Sequence, residues 1–147
     1  MMVLWMKQKQ VERVQHKSKL LSQGGDDETV TPVTVITGFL GSGKTTLLKR
    51  YTNVHARHVD SGGPTMGIDL SIKHVQNRLI ELWDTSGSEQ YYTFATSYVR
   101  AAHAVCLCYD ASRDEHDALQ SVQEWYARAQ ECRDDFSSIP VCIVGNK

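Results

Sequence analysis

Long hydrophobic runs are absent from this chain of 147 residues. No apolar stretch approaches the roughly 20 residues that a helix needs to cross a bilayer, so a transmembrane helix is not expected. The net charge is only −1, and no internal repeat or low-complexity segment occurs. With 41% apolar residues, the chain has enough hydrophobic material for about one packed domain. Nothing in this composition indicates a nucleic-acid-binding protein.

The 4 cysteines show no paired spacing of the kind that marks a disulfide framework or a zinc site. They are Cys106, Cys108, Cys132 and Cys142. Cys106 and Cys108 alternate within a strand-like run, which favours packing in the core over a metal or redox role. The cysteines therefore suit a reducing compartment.

Charge divides the chain near its beginning. Residues 1–20 carry an excess of four positive charges, whereas the rest carries an excess of five negative ones. Scattered apolar residues allow a helix there that meets a membrane surface or a partner, but a solvated extension or an organelle-targeting segment is also consistent with this composition. We expect residues 1–30 to be a basic, disordered or partly helical extension, and residues 31–147 to form the domain.

A glycine-rich loop is the first motif with clear chemistry. Residues 38–45 read Gly-Phe-Leu-Gly-Ser-Gly-Lys-Thr, the pattern of a phosphate loop. Its backbone N–H groups can surround phosphate oxygens, Lys44 adds positive charge, and the Thr45 hydroxyl can bind Mg²⁺. The apolar, β-branched residues 33–37 precede the loop and a predicted helix follows it, which is the order that the motif requires.

From residue 33 onward, strand and helix patterns alternate. Strands are predicted at 33–37, 68–75, 78–83, 104–109 and 140–144, and a helix at 117–132 that places Leu119, Val122, Tyr126 and Ala129 at helical spacing. The tight Gln76-Asn77 connection makes the second and third strands antiparallel. We expect an α/β fold with a doubly wound, mostly parallel sheet and helices on both faces.

A second motif follows the third strand. Residues 83–87 read Trp-Asp-Thr-Ser-Gly. Beside a phosphate loop, Asp84 can support a Mg²⁺ ion and the Gly87 N–H can meet a terminal phosphate.

Several separate segments resemble the Ras superfamily of small GTPases, and most closely its Rab branch. They are the phosphate loop, residues 64–69 (Pro-Thr-Met-Gly-Ile-Asp), residues 83–87, residues 97–104 and the Tyr109-Asp110 pair. The resemblance implies a P-loop NTPase fold over residues 33–147, with GTP or GDP and Mg²⁺ as ligands. It also implies that Thr65 meets Mg²⁺ and the γ-phosphate only in the triphosphate state.

The site residues implied by this resemblance fall into three groups. The nucleotide would be held by Gly38, Gly41, Ser42, Gly43, Lys44, Thr45, Thr46, Thr65, Gly87, Asn146 and Lys147. Mg²⁺ would be held by Thr45, Thr65 and Asp84. The residues implied to take part in catalysis of GTP hydrolysis are Lys44, Thr65, Gly87 and Ser88.

Four departures from the family pattern modify this expectation. Ser88 stands where most relatives carry the glutamine that orients the attacking water. Leu40 occupies a position of the phosphate loop where small residues are usual. Both predict slow hydrolysis.

His55 and His58 lie in a loop that lacks the usual guanine-stacking aromatic residue, and either histidine is a candidate substitute or a solvated residue. The sequence also stops at Asn146-Lys147, before the aspartate that would pair with guanine and before the family's last strand and helices, so we expect a truncated domain.

The favoured function is a Rab-like, Mg²⁺-dependent GTP-binding switch in vesicle or ciliary traffic, monomeric and cytoplasmic or peripheral on endomembranes. Effectors, an exchange factor and a GTPase-activating protein would bind its two switch regions, and any membrane contact would come from the basic segment. One alternative is a nucleotide-locked or nucleotide-independent interaction module. Another is a metal-chaperone GTPase, because residues 37–48 closely resemble the loop of the cobalamin-synthesis W family, although that family's Cys-x-Cys-Cys motif is absent.

Overall fold

The computed structural model describes residues 31–52 and 63–147. The expectations for residues 1–30, for His55 and for His58 lie outside these residues. Two short 3₁₀ turns, Glu89–Tyr91 and Phe136–Ser138, accompany eight longer elements in the described residues. In chain order the longer elements are β1 (Val33–Thr37), α1 (Lys44–Thr52), β2 (Ile68–Val75), β3 (Arg78–Thr85), α2 (Tyr92–Val99), β4 (Ala104–Asp110), α3 (Glu115–Glu131) and β5 (Val141–Asn146).

The five strands form one sheet in the order β2-β3-β1-β4-β5. Strand β1 pairs in parallel with both β3 and β4, and β4 pairs in parallel with β5. Among the described strands, β2 and β3 form the one antiparallel pair. The carboxyl ends of β1, β3, β4 and β5 therefore meet at one edge of the sheet, where ligands bind in open α/β folds. The mostly parallel α/β fold expected from the sequence is confirmed.

The hairpin between β2 and β3 has the tight connection that the sequence predicts. Val75 and Arg78 are paired, so only Gln76 and Asn77 lie in the turn. Both residues have positive φ angles, 47° and 63°. A two-residue turn of this kind matches the right-handed twist of the strands, and asparagine tolerates the left-handed conformation better than most residues.

Helices cover both faces of the sheet, as alternate residues of β3 demonstrate. Leu82 packs with Leu48 of α1 in one buried cluster. The neighbouring Trp83 points to the opposite face, where its ring meets Tyr98 of α2 edge to face at 5.7 Å. Successive side chains of a strand point to opposite faces, so α1 and α2 lie on different sides of the sheet.

Helix α3 forms where the sequence predicts a helix, and it buries Ala129 of the predicted stripe together with Trp125, which the prediction did not include. Asp114 caps its start by accepting a hydrogen bond from the Asp117 N–H at 3.1 Å. Trp125 and Ala129 are the buried residues, whereas Leu119 is 57% exposed. The Trp125 ring packs edge to face on Phe39 of the glycine-rich loop, with centroids 5.9 Å apart. The large indole therefore determines which side of α3 faces the core.

Helix α2 was not predicted from the sequence. It has no side-chain cap hydrogen bond, and residues 92–99 include β-branched and aromatic types with weak helix preference. Ala95 and Val99, four residues apart, are both only 1% exposed. Burial of this stripe stabilises a helix that local preference does not indicate. Among residues 31–52 and 63–147, no helix combines the length and the apolar character needed to cross a membrane.

Candidate functional site

The two sequence motifs meet at the carboxyl edge of the sheet because β1 and β3 are neighbours. Ile36 and Asp84 are register partners, so the segments that follow the two strands leave the sheet side by side. The Leu40 N–H donates a hydrogen bond to the Gly87 carbonyl at 2.9 Å. The phosphate-loop motif and the Trp-Asp-Thr-Ser-Gly motif thus form one continuous site.

Two glycines in this site allow backbone segments to come very close. Gly38 has a φ of +139°, and a β-carbon there would lie 2.0 Å from the Cys108 carbonyl oxygen. A β-carbon at Gly87 would lie 2.4 Å from the Leu40 nitrogen. No side chain fits at either position without moving backbone, which explains why glycine is required at both.

Lys44 is the buried cation of the site. Its ammonium group donates to the Gly38 carbonyl at 2.8 Å and to the Phe39 carbonyl at 3.1 Å. Burial lowers the pKa of Lys44, while the nearby Asp84 carboxylate opposes that shift. The loop thus curls around the ammonium group and holds a positive charge in a position from which water is largely excluded.

Two hydroxyls and one carboxylate converge beside Lys44. The Thr45 hydroxyl donates to Asp84 Oδ2 at 2.5 Å, and the Thr65 hydroxyl donates to the same oxygen at 3.2 Å. The Thr45 and Thr65 hydroxyl oxygens are 2.9 Å apart. Three residues from three separate segments therefore place oxygen atoms around one small volume.

This oxygen cluster fits a divalent cation. Asp84 is 2% exposed, and its other oxygen, Oδ1, is buried with no hydrogen-bond partner among the described residues. Burial raises the pKa of Asp84, opposed by the hydrogen bond from Thr45 and by the Lys44 charge. A carboxylate and hydroxyl oxygens are the hard ligands that Mg²⁺ prefers, and a cation would keep the buried carboxylate ionised. The donor set and the unpartnered oxygen thus agree with a Mg²⁺ site.

Strand β5 brings the last two residues of the sequence to the same edge. Asn146 donates from Nδ2 to the Ser42 carbonyl at 3.0 Å, across 104 positions of sequence. The Lys147 ammonium group forms an ion pair with Asp110 Oδ2 at 3.1 Å. A hydrogen bond from Ser112, followed by the one from Lys147, lowers the pKa of Asp110 to about 2. Asn146 thus holds the glycine-rich loop and Lys147 holds the end of β4.

The remaining candidate residues lie around this framework. Ser42 is buried, and Gly41 is exposed with open space where a β-carbon would be. A β-carbon at Gly43 would lie 2.3 Å from Asn146 Nδ2. Thr46 lies in the first turn of α1 and is half-buried. The whole candidate set is therefore gathered at one edge of the sheet, although Lys147 stands at its margin.

Ser88 lies directly after the glycine of the second motif. Its backbone N–H bonds to the Ser86 hydroxyl at 3.3 Å, and its carbonyl accepts from the Tyr91 N–H at 2.9 Å. These contacts fix the backbone of Ser88 and leave a short hydroxyl as its reactive group. The serine side chain is too short to place a polar group where the amide of a glutamine would lie.

The site residues predicted from the sequence do not include two residues that organise the site. Asp110 binds Lys147, and Ser86 joins Ser88 to the preceding segment because its own N–H donates to the Gly67 carbonyl at 2.8 Å. A signal for Asp110 was present, since it ends a buried strand next to β1 and so lies at the carboxyl edge of a parallel sheet. Ser86 had no comparable signal, because its contacts depend on how the loop before β2 packs.

Comparison with known proteins agrees with this geometry. The family model described as "Ras of Complex, Roc, domain of DAPkinase" matches residues 34–147. A Ras and EF-hand domain-containing protein of Danio rerio is 34% identical over 129 residues, covering 83% of this chain and 18% of that protein. Ras-related protein RABA1i of Arabidopsis thaliana is 32% identical over 77% of this chain and 51% of its own length. Ras-related protein RabC of Dictyostelium discoideum is 26% identical over 82% of this chain and 62% of its own length.

The chain spans about half the length of several Ras-related relatives that it matches. Within the shared region, the family model covers both motifs and every strand of the sheet except the first residue of β1. The phosphate loop, the strand order and the matched family model lead to one assignment. This chain belongs to the Ras superfamily of small GTPases, as a Roc-matching, Rab-like member.

Proposed function

We propose that this chain is a Mg²⁺-dependent guanine-nucleotide switch that binds GTP and hydrolyses it slowly to GDP. One observation carries the proposal: Thr45, Thr65 and Asp84 converge on a small volume beside Lys44, at the end of a glycine-rich loop. The loop suits phosphate and the oxygen cluster suits Mg²⁺. When bound, Mg²⁺ supplies positive charge that neutralises phosphate oxygens.

Thr65 gives the site a means of switching. It lies in the segment before β2, outside the phosphate loop, yet its hydroxyl reaches both Thr45 and Asp84. A contact that depends on the terminal phosphate would hold residues 63–67 in place, and loss of that phosphate would release them. In this proposal effectors, an exchange factor and a GTPase-activating protein contact residues 53–69 and 85–100.

Slow hydrolysis follows from the residues next to the terminal phosphate position. Ser88 offers a hydroxyl where relatives carry a glutamine, and Leu40 is 58% exposed on the loop where a stabilising arginine from a partner would enter. We expect Ser88→Gln to accelerate single-turnover GTP cleavage by about 10-fold because the longer amide can orient water. Gln90→Ala, which alters an exposed neighbouring residue, serves as the control. An unchanged rate in Ser88→Gln contradicts this assignment.

The main test is equilibrium binding of fluorescent GDP and GTP analogues to the 147-residue chain, with and without Mg²⁺ and with ATP as competitor. The expected result is tight binding of the guanine nucleotides that strengthens with Mg²⁺ and is not displaced by ATP. Absence of binding by folded protein contradicts the proposal. An affinity that is the same with and without Mg²⁺ contradicts the role assigned to Asp84.

A second candidate function is a protein-interaction module that does not respond to nucleotide. The residues that favour it are Ser88 and Leu40, which both weaken the hydrolytic half of a switch cycle. The two candidates differ in one measurement, the affinity of a captured partner in the presence of GDP and of a non-hydrolysable GTP analogue. A difference supports the switch, whereas equal affinities support the interaction module. The metal-chaperone alternative rests on the loop sequence alone.

A role in vesicle or ciliary traffic, on cytoplasmic faces of endomembranes, rests on the Rab resemblance. The basic segment 1–30 is the part of the chain proposed to contact the membrane. Co-sedimentation of the full chain with acidic and neutral vesicles at low and high salt tests this. Preference for acidic vesicles that disappears at high salt is expected, and equal binding to both lipids contradicts an electrostatic contact.

A further inference from the structure

An aromatic contact joins the phosphate loop to helix α3. The side chain of Phe39, the first variable residue of the loop, meets the ring of Trp125 edge to face, with centroids 5.9 Å apart and an interplanar angle of 85°. Trp125 is 2% exposed, so this contact lies inside the domain. Edge-to-face packing is directional and favours one orientation of the two rings. The loop therefore has a support outside its own backbone, one that the proposed function does not use.

The backbone of Phe39 is a meeting point of hydrogen bonds within the loop. Its carbonyl oxygen accepts from the Lys44 ammonium group at 3.1 Å and from the Ser42 N–H at 3.2 Å. The carbonyl of the preceding residue, Gly38, also accepts from the Lys44 ammonium group, at 2.8 Å. A buried ammonium group needs such acceptors, because they replace the hydrogen bonds that water would provide. A shift of Phe39 would therefore displace Lys44 and the turn of the loop together.

Helix α3 can support this contact because its own position is set elsewhere. Just beyond its end, the Arg133 guanidinium group donates to the Ala102 carbonyl at 2.5 Å. In the other direction, Arg100 Nε donates to the Cys132 carbonyl at 2.9 Å. These reciprocal hydrogen bonds tie the end of α3 to the segment that follows α2, and none of the four residues belongs to the phosphate loop. Trp125 thus lies on a helix that is anchored without the loop.

We propose that Trp125 is a positioning residue for Lys44. Its indole ring holds the Phe39 side chain, and the Phe39 carbonyl in turn holds the Lys44 ammonium group where it would face a nucleotide phosphate. This inference rests on the proposed function for the identity of the ligand, whereas the packing that it describes requires no ligand. Trp125 touches neither phosphate nor Mg²⁺ in this proposal and acts through Phe39.

Hydrogen exchange of the full chain without nucleotide, followed by mass spectrometry, tests the first step of this proposal. Trp125→Leu removes the ring that Phe39 contacts. Exchange in residues 38–45 should accelerate by about 10-fold or more, because the loop opens more often without its support. The hairpin of β2 and β3 should exchange as in wild-type protein. Unchanged exchange in the loop overturns the proposal. Equal acceleration in the loop and the hairpin also overturns it, since Trp125 would then serve only the stability of the whole domain.

Three further variants keep this test decisive if Trp125→Leu folds poorly. Phe39→Leu removes the other ring and should accelerate exchange in residues 38–45 to a similar extent. Trp125→Phe keeps a ring at this position and should exchange more slowly than Trp125→Leu. Tyr126→Leu is the matched control, because Tyr126 is the next residue of α3 and packs edge to face on Phe136, with centroids 5.4 Å apart. Wild-type exchange in Phe39→Leu, or faster loop exchange in Tyr126→Leu, contradicts the proposal.

Release of a fluorescent GDP analogue tests the second step. Trp125→Leu should release it about 10-fold faster, because the loosened loop holds the phosphates less well. The ratio of affinities with and without Mg²⁺ should stay as in wild-type protein, because the oxygen cluster around Asp84 is unchanged. Loss of the Mg²⁺ response as well would mean disruption of the whole site and overturns the proposal.

A double variant shows whether Trp125 acts through Lys44. In the Lys44→Ala background, Trp125→Leu should weaken binding no further, since two changes that act through one group are not additive. A full additional loss overturns the assignment to Lys44. If the wild-type chain binds no nucleotide, the proposed function fails, and the exchange measurements alone decide whether Trp125 holds the loop.

Discussion

Two parts of the candidate site are organised in different ways. One, here called the phosphate side, surrounds Lys44 and Asp84 and is proposed to hold phosphate and Mg²⁺. The other, here called the base side, is formed by Asn146 and Lys147 and is proposed to lie beside the base. On the phosphate side, Lys44 and Asp84 are both at most 5% exposed and are held by several short hydrogen bonds. On the base side, Lys147 has a side chain that is 46% exposed and makes one ion pair with Asp110. Buried charged groups interact through a lower effective dielectric, and surface pairs are weakened by water and salt. We therefore expect changes on the phosphate side to have the larger effects.

The largest expected effect comes from Lys44→Ala. This change removes the buried ammonium group that is proposed to face the phosphates, and hydrogen bonds involving charged groups contribute up to about 3 kcal/mol. Binding of a fluorescent GDP analogue should weaken by at least about 100-fold. Arg50→Ala, an exposed basic residue of the same helix, should leave the affinity unchanged, and circular dichroism should confirm that both variants are folded. Similar losses in the two variants would contradict the contrast between buried and exposed charge.

Asp84→Asn should remove the response to magnesium. Among the described residues, the Asp84 carboxylate is the charged oxygen ligand in the cluster with Thr45 and Thr65, so a neutral amide in its place should hold a divalent cation poorly. The ratio of nucleotide affinities with and without Mg²⁺ should fall to about 1. Asp134→Asn is a matched control, because Asp134 is an exposed carboxylate in the connection after α3. A Mg²⁺ response retained in Asp84→Asn would remove this residue from the proposed ion site.

The same carboxyl group should make stability depend on pH in a defined direction. Burial raises the pKa of Asp84 above its ordinary value of 3.8, so the folded, magnesium-free chain binds this proton more tightly than the unfolded chain. Its contribution to the free energy of unfolding is complete below pH 3.8 and is lost as the pH rises through the raised value. Denaturant unfolding across this range, without Mg²⁺, should show wild-type protein losing stability relative to Asp84→Asn. If the free energy of unfolding changed with pH in the same way for the two proteins, the raised pKa of Asp84 would be contradicted.

Asn146→Ala should have a smaller effect than the changes on the phosphate side. It removes the hydrogen bond to the Ser42 carbonyl and with it the attachment of β5 to the loop. A net loss near 1.4 kcal/mol corresponds to about 10-fold weaker nucleotide binding, mainly through faster release. Stopped-flow release of a fluorescent GDP analogue measures this, with Gln123→Ala on the exposed side of α3 as the control. A wild-type release rate would show that the loop does not need this attachment.

The smallest expected effect is that of Lys147→Ala. Its ion pair with Asp110 lies at the surface, where such pairs contribute little and are screened by salt. We expect a change of about 2-fold or less in nucleotide affinity at low salt, and no difference at high salt. Titrations of wild-type and Lys147→Ala protein with a fluorescent nucleotide analogue, at low and at high salt, measure this change in affinity. A loss comparable with that of Lys44→Ala would mean that the base side is organised as strongly as the phosphate side.

Local pattern accounts for much of what the sequence predicts correctly. The apolar, β-branched residues 33–37 form β1 with the predicted bounds, and Gln76 and Asn77 form the predicted turn. Strand β3 runs two residues beyond its predicted end, to Thr85, because Ile36 and Asp84 pair across the sheet. Helix α2 was missed for a related reason, since it depends on burial of Ala95 and Val99 rather than on the preferences of its own residues.

The candidate site divides in the same way. The order of glycines, Lys44 and Thr45 identifies a phosphate loop without any structure, because that motif works through backbone groups within a few residues. The role of Asp110 and the burial of Trp125 on α3 were not predicted. Both depend on contacts between segments distant in sequence, namely Lys147 with Asp110 and Trp125 with Phe39.

The sequence by itself determined the alternation of strands and helices, the hairpin turn and the chemistry of the two motifs, since these depend on neighbouring residues and on the periods of strand and helix. Only the tertiary structure decided which oxygen atoms surround Asp84 and how Asn146 reaches Ser42. Those relations are set by the order and register of the strands. Register arises from burial on both faces of the sheet, a property of the whole domain that no local segment contains.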